Sequence, residues 1–394
     1  MYRFGTGKLS FRIFRMTTTT ISNGHDVLAN ASQERLNSIP FTTADDAKDI
    51  IKRLYNMNVI DIKKFDSYED LNFYIKTDNN STRHGNEFVF KISNTQLSLD
   101  KKLFDAQSEL LFRLKEAGIS APVPFRDVNG QHFSLQHLQN INDDVVVMEG
   151  NYMVRLLTYI PGERLVTVKN ISLDLFYDVG KILAQIHNAW KGYEHPSLIR
   201  EDFEWHLRSA VHTRAYAHLV KEQWQRDISE AVLNKFEAEV LPVYDNLTRG
   251  IIHGDLNELN ILVTPSNVPT SQQRYMLSGV IDFGDTTVSP YIFDVSISLA
   301  YMMLTDIEES SIPSICKWFL SGYGSVSKIP DFEVNMVVTM MCARLVQSLL
   351  MGLYYHSMDP TNTYILCSQK RGWQALKNVW KLSIDDIKTV ACPK

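Results

Sequence analysis

The sequence predicts an α+β fold in two lobes, the first rich in strands and the second mainly helical. Three observations carry this. Between residues 59 and 160, short apolar runs alternate with polar turns, the period of strands. Beyond residue 163, apolar residues recur three and four positions apart, the period of helices. An island of strand-like segments, 250–253 and 277–282, interrupts those helices.

The chain has 394 residues, 44% of them apolar and 22% charged, enough to build two cores. A net charge of −5 argues against a nucleic-acid partner, which calls for a basic surplus. Cys316, Cys342, Cys367 and Cys392 form no CxxC pair, so neither a zinc site nor a disulfide framework is predicted, and a reducing compartment is the natural setting. The most apolar stretch, 295–304, is too short to cross a bilayer, so no membrane span is expected.

Residues 1–40 read as a disordered leader or targeting segment. Arg3, Lys8, Arg12 and Arg15 precede the first acid, Asp26, a composition shared with mitochondrial transit peptides. The alternatives are a plain unstructured tail and a start at Met16. A cytoplasmic location is expected, with a mitochondrial one as the alternative. Residues 41–158 form the predicted first lobe and 159–394 the second.

Thr43 followed by Ala-Asp-Asp marks a helix start running through Ile50, Ile51 and Leu54. Residues 59–65, 71–76 and 87–93 read as three strands, with a polar turn at 66–70 and a hairpin loop at 79–86. Leu103, Leu110, Leu114 and Ala117 share one side of a helix that Gly118 ends. Residues 145–148 and 152–160 are two further strands, closed by Pro161-Gly162. Leu173, Phe176, Gly180, Leu183 and His187 mark the first helix of the second lobe. Helices are then predicted over 204–220, 227–247, 291–304, 309–321, 332–355 and 361–379.

Two segments carry chemistry. The run 251–263 holds His253, Gly254, Asp255 and Asn260 in the pattern H-G-D-x-x-x-x-N. Asp282 ends the apolar run Val280-Ile281, 22 positions after Asn260. Phosphoryl transfer divides its labour this way: one Asp handles the acceptor hydroxyl and its proton, while an Asn five residues on and a later Asp hold Mg²⁺. Mg²⁺ favours the hard oxygen donors that Asn260 and Asp282 supply. Asp255 is therefore the candidate catalytic base. Taken singly, Asp255 would be a turn cap and Asp282 a strand-end residue; neither reading accounts for both.

From about residue 41 onward the sequence resembles the aminoglycoside phosphotransferase and choline kinase family, which writes H-G-D-x-x-x-x-N and I-D-F where these residues stand. The resemblance implies a two-lobed protein-kinase-like fold, a small-molecule substrate, a nucleotide donor and Mg²⁺. It also implies a third-strand lysine for the phosphates, which Lys91 matches, and a glutamate on the next helix to pair with it. Glu109 matches by position, with Asp105 and Glu116 as rivals. The phosphate-covering loop 66–73 lacks glycine, so its contacts would fall to Ser67 or Asn72. The base would lie against the connector near 155–158, with Leu156 either beside it or in the strand core. Asp294 is expected to brace the catalytic loop, and His187 to be a satisfied core histidine.

Residues 66–73, 159–163, 252–260 and 281–285 are similar to the hydroxylysine kinases of that family, which implies GTP-dependent phosphorylation of 5-hydroxy-L-lysine in the cytosol. Glu258 or Asp285 would then receive an ammonium. Arg344, set among apolar residues, is either a fork for the substrate carboxylate or half of an internal ion pair. The alternatives are an ATP-dependent kinase of choline, homoserine or an aminoglycoside-like amine, and a nucleotide-binding pseudokinase. Oligomeric state is not legible.

Overall fold

The computed structural model describes residues 38–78, 85–142, 145–266 and 274–391. Most of the leader, most of the 79–86 loop and Cys392 lie outside them. Helix α1 (Ala44–Tyr55) starts on a capping box, in which Thr43 and Asp46 satisfy each other's backbone N–H groups. Strands β1 (Val59–Phe65), β2 (Leu71–Thr77), β3 (Glu87–Ile92), β4 (Ser134–Asn142) and β5 (Val145–Thr158) form one antiparallel sheet in the order β1-β2-β3-β5-β4.

Strand alternation gives the sheet two different faces. Leu71, Phe73, Ile75, Phe88, Phe90, Ile92, Tyr152, Val154 and Leu156 pack against Ile50, Ile51 and Leu54 of α1. The opposite face carries Asn72, Lys91, Arg155 and Leu157 toward the cleft. Helix α2 (Lys101–Glu116) lies on that side, its Leu103, Leu110, Leu111 and Leu114 joining the core of the second lobe.

The expectation of separate strands at 145–148 and 152–160 is corrected: they are one strand, β5, hairpin-paired with β4. Polar residues fill β4, and its Leu135 is 53% exposed, so its sequence shows little apolar alternation.

Beyond the connector 159–162, strands β6 (Glu163–Arg164), β8 (Ile261–Pro265) and β9 (Tyr275–Val280) form a small sheet. Strands β7 (Arg249–Ile252) and β10 (Thr287–Pro290) form another, and the two flank the H-G-D segment. The longer helices here are α3 (Leu173–Trp190), α4 (Gln223–Glu239), α5 (Tyr291–Met302), α6 (Ile312–Gly324), α7 (Val337–Met358) and α8 (Gln369–Trp380). Residues 207–219, expected as α-helix, are 3₁₀ turns.

Helix α7, at 22 residues, is long and apolar enough to span a bilayer, contrary to the sequence expectation. However, 89% of its most apolar window is buried inside the protein, and it carries Arg344, so its apolar surface is used as core.

Helices α3 and α6 cross closely. A Cβ added at Gly180 would stand 2.0 Å from the carbonyl oxygen of Phe319. Gly180→Val is therefore expected to lower the unfolding free energy by about 1–3 kcal/mol, read from denaturant titration. An unchanged midpoint would refute the close crossing.

Candidate active site

The loop between β7 and β8 holds the H-G-D segment, and a buried carboxylate shapes it. Asp294, on the first turn of α5 and fully buried, accepts hydrogen bonds from His253 N (2.8 Å), Gly254 N (2.9 Å) and His187 Nε2 (2.8 Å). Burial alone would raise its pKa, but the bond and charge of His187, with His253 and Gly254, outweigh that and hold it below the ordinary value. His187 is satisfied on both nitrogens, since Nδ1 meets Tyr323 Oη at 2.9 Å. Gly254 has φ +81°, and a Cβ there would meet the Asp285 carbonyl oxygen at 2.6 Å. Only glycine fits where the two catalytic segments touch.

Asp255 keeps 24% of its side chain exposed. One oxygen accepts from Arg344 Nη2 at 3.3 Å; the other accepts from Asn257 Nδ2 (2.9 Å) and Asn260 Nδ2 (3.1 Å). Its pKa is raised, first by burial and then by the nearby charge of Asp285, with Arg344 opposing. A carboxylate made more basic suits acceptance of a hydroxyl proton.

Asn260 spends its amide nitrogen on Asp255, so its carbonyl oxygen is the atom that would meet a cation. Asp282 has φ +63°, an unusual backbone that turns its carboxylate into the cleft, and the side chain is 46% exposed. Lys91 at 3.1 Å is the main cause of its lowered pKa, which keeps it ionised. Among the described residues no group of three His, Cys, Asp or Glu could hold a metal unaided. Two hard oxygen donors beside an acceptor site do fit Mg²⁺, which takes its remaining ligands from phosphates and water.

Lys91 is 7% exposed. Burial works against its charge, but Asp282 and Asp70 overcome that and raise its pKa. Its N-lobe partner is Asp70 at 2.9 Å, which corrects the expectation for Glu109. Glu109 binds Arg113 on the outer side of α2 at 3.0 Å. The helix position turned inward is Gln107, which bonds Arg155 (3.1 Å) and the Gly284 carbonyl (3.3 Å).

Leu156 keeps one of its two readings: the place in the strand core holds and the place beside the base is corrected. It is fully buried against α1, its N–H donates to Tyr55 Oη (3.1 Å), and its carbonyl accepts from Phe125 N (2.8 Å). It belongs to the core and offers nothing to a base. Thr158 N likewise donates to Val123 O. The cleft wall beside the connector is instead Tyr74 stacked edge-on against Tyr159, centroids 5.1 Å apart.

Ser67 points its hydroxyl at the Asp70 carbonyl, closing the loop on itself. Asn72 sits opposite Lys91 in register, and its Oδ1 is buried without a hydrogen-bond partner, an acceptor that a ligand donor would satisfy.

Among the residues considered for an acceptor, Arg344 is 1% exposed between Trp205 and Tyr301 and serves as the internal partner of Asp255. It is not a fork open to a substrate. Glu258 is 6% exposed, and burial pushes its carboxyl up to about 8, so it is no ready counter-charge for an ammonium. Asp285 lines a small cavity with Gly254, Phe203 and Trp205. Burial lifts its pKa to about 6 against the charge of Arg200. The side chains of Asp70, Arg155, Asn257 and Arg200 were given no role in the sequence. Asp70, Arg155 and Asn257 lay in segments it singled out, the 66–73 loop, the connector and the H-G-D run; Arg200 carried no signal.

A strand lobe with a buried lysine, set over a helical lobe with an Asp–Asn–Asp constellation, defines a kinase of small molecules. The chain belongs to the phosphotransferase enzyme family, whose model matches residues 61–327. It is 33% identical over 360 residues to the hydroxylysine kinase of Xenopus laevis, covering 90% of this chain and 94% of that one. With the hydroxylysine kinase of Mus musculus it shares 31% over 356 residues, 89% and 92% of the two chains. Solved structures with the same fold include an amicoumacin kinase in complex with AMP-PNP and Ca²⁺ (TM-score 0.59, 14% identity, 90% and 97% covered). A microcompartment-associated aminopropanol kinase gives 0.52 at 15% identity, with 86% and 94% covered. The chain is thus a phosphotransferase that acts on a hydroxyl group of a small molecule and takes phosphate from a nucleotide.

The Asp294 anchor predicts a pH signature. Its folded pKa lies below the ~3.9 of an unfolded Asp, so its stabilisation is complete above that value and fades as pH falls through the folded pKa. Asp294→Asn is expected to lose roughly 1–3 kcal/mol at neutral pH. The gap to wild type should narrow in acid, as followed by chemical unfolding at several pH values; a gap that is constant with pH would contradict the assignment.

Proposed function

We propose that the chain is a cytoplasmic kinase that transfers the γ-phosphate of GTP to the hydroxyl of 5-hydroxy-L-lysine. The observation that carries this is the likeness to hydroxylysine kinases along nearly the whole chain, at 29–33% identity in four vertebrate relatives. The convergence of Asp255, Asn260, Asp282 and Lys91 in one cleft supports catalysis over mere nucleotide binding. A weaker likeness, 24% over 266 residues, to a homoserine kinase of Gluconobacter oxydans keeps a second amino-acid alcohol in view.

In this reading Asp255 orients the acceptor hydroxyl and takes its proton on a carboxylate oxygen, while Arg344, Asn257 and Asn260 hold that carboxylate in place. Lys91 meets the donor's phosphates. Asn260 and Asp282 would hold Mg²⁺, which when bound neutralises charge on the transferring phosphoryl group. Asp285, half-buried near Asp255, remains the candidate for the substrate ammonium.

The test is a panel of 5-hydroxylysine, homoserine, choline and an aminoglycoside, run separately with Mg·GTP and Mg·ATP. Transfer is expected to be greatest to hydroxylysine from GTP, and to stop when EDTA removes the metal. Asp255→Asn should cut turnover about 10²–10⁴-fold. Preferential transfer to homoserine would overturn the acceptor, and preference for ATP the donor.

A further inference from the structure

The geometry points to Asp70 as the residue that positions Lys91 for the nucleotide, in place of a carboxylate on helix α2. This rests on the reading of Lys91 as the phosphate-contacting lysine, and not on the identity of donor or acceptor.

Asp70 stands directly before β2, and both its oxygens are committed. One meets Lys91 Nζ at 2.9 Å; the other accepts from Asn94 N at 3.0 Å. Its neighbours lock it further: the Ser67 hydroxyl bonds its carbonyl, and Glu69 accepts from Asn94 Nδ2 at 3.2 Å. The side chain is 15% exposed, so its contact with Lys91 is sheltered from solvent screening.

Helix α2 cannot do this work. Its inward residue is the neutral Gln107; of its three acids, Glu109 faces out to Arg113, and the rivals Asp105 and Glu116 are exposed. Lys91 nevertheless needs a carboxylate, because Arg155 lies beside it in register on β5 and is buried as well. Two buried cations side by side repel each other unless acids intervene. Asp282 is one such acid, but its place is with the metal. With Asp282 engaged by a cation, Asp70 would be the carboxylate left to hold Lys91.

The same loop is moored on the second lobe. The Tyr68 ring meets those of Trp205 and Tyr355 edge-on, with centroids 5.8 and 5.5 Å away, and Asn362 Nδ2 reaches the Ser67 carbonyl at 3.4 Å. A loop fixed at both ends holds its carboxylate to one position, as a positioning residue requires.

The test compares the full-length wild type with Asp70→Asn, Asp70→Glu and Lys91→Met. Asp70→Asn keeps an oxygen for the Asn94 amide, so the loop retains its shape. The expected result is a roughly 10- to 100-fold rise in KM for Mg·nucleotide, an unchanged acceptor KM, and partial recovery in Asp70→Glu. Wild-type nucleotide KM and kcat in Asp70→Asn, beside a loss in Lys91→Met, would overturn the role of Asp70 alone. So would an equal rise in both KM values with no recovery by glutamate, the mark of a merely structural contact. Should Asp70→Asn fail to fold, Asp70→Glu decides by the same KM comparison. Nucleotide KM unchanged in Lys91→Met would remove the reading of Lys91, and the inference with it.

Discussion

The shape of the cleft depends on one buried carboxylate. Asp294 has no solvent to satisfy it, so it must find donors inside the protein, and it takes two consecutive backbone amides of the H-G-D segment. That requirement bends the chain at Gly254 and presents Asp255. His187 and Tyr323 complete the shell from α3 and α6, so three helices converge on a single turn of loop. Phe283 then packs on His253 with ring centroids 4.7 Å apart, and His253 Nε2 meets the Ile281 carbonyl at 3.2 Å. The segment 281–283, which carries Asp282, is thereby registered against the H-G-D loop.

Above this frame, charge is arranged in two matched sets. Lys91 and Arg155 project from adjacent strands and are balanced by Asp70 and Asp282. Asp255 is balanced by Arg344, whose own charge is tied down by the Trp205 carbonyl and Gln347. Asp255 and Asp282, the acids proposed for catalysis and for the metal, thus each have a basic neighbour that fixes their direction. The sets differ in consequence: Lys91 keeps Asp282 ionised, whereas burial and Asp285 leave Asp255 more basic than an ordinary carboxylate.

Much of this was legible in the sequence where chemistry restricts the residue type. Asp255, Asn260 and Asp282 stand in a fixed spacing that apolar strands bracket, and Asp294 follows at the next helix start. What was missed lay in side-chain direction. Glu109 and Gln107 are two residues apart on a helix, about 200° of rotation, so choosing the acidic residue chose the wrong face. Leu156 lies between Arg155 and Leu157 on a strand, and alternation alone sends it to the α1 side. Asp70 is near Lys91 only through folding of the β1–β2 loop, 21 positions earlier in the chain, which no local period reports.

The absence of glycine from that loop takes on a mechanical meaning. A glycine-rich flap can lift from bound phosphates by flexing its own backbone. Here Tyr68 packs edge-on against the aromatic wall of the opposite lobe, so the segment is held by side-chain contacts as well as by its own backbone. On the proposed nucleotide site, lifting this segment would part Tyr68 from the stacked pair of Trp205 and Tyr355. The cost of parting those rings would then enter the kinetics of nucleotide release, far from the phosphates themselves.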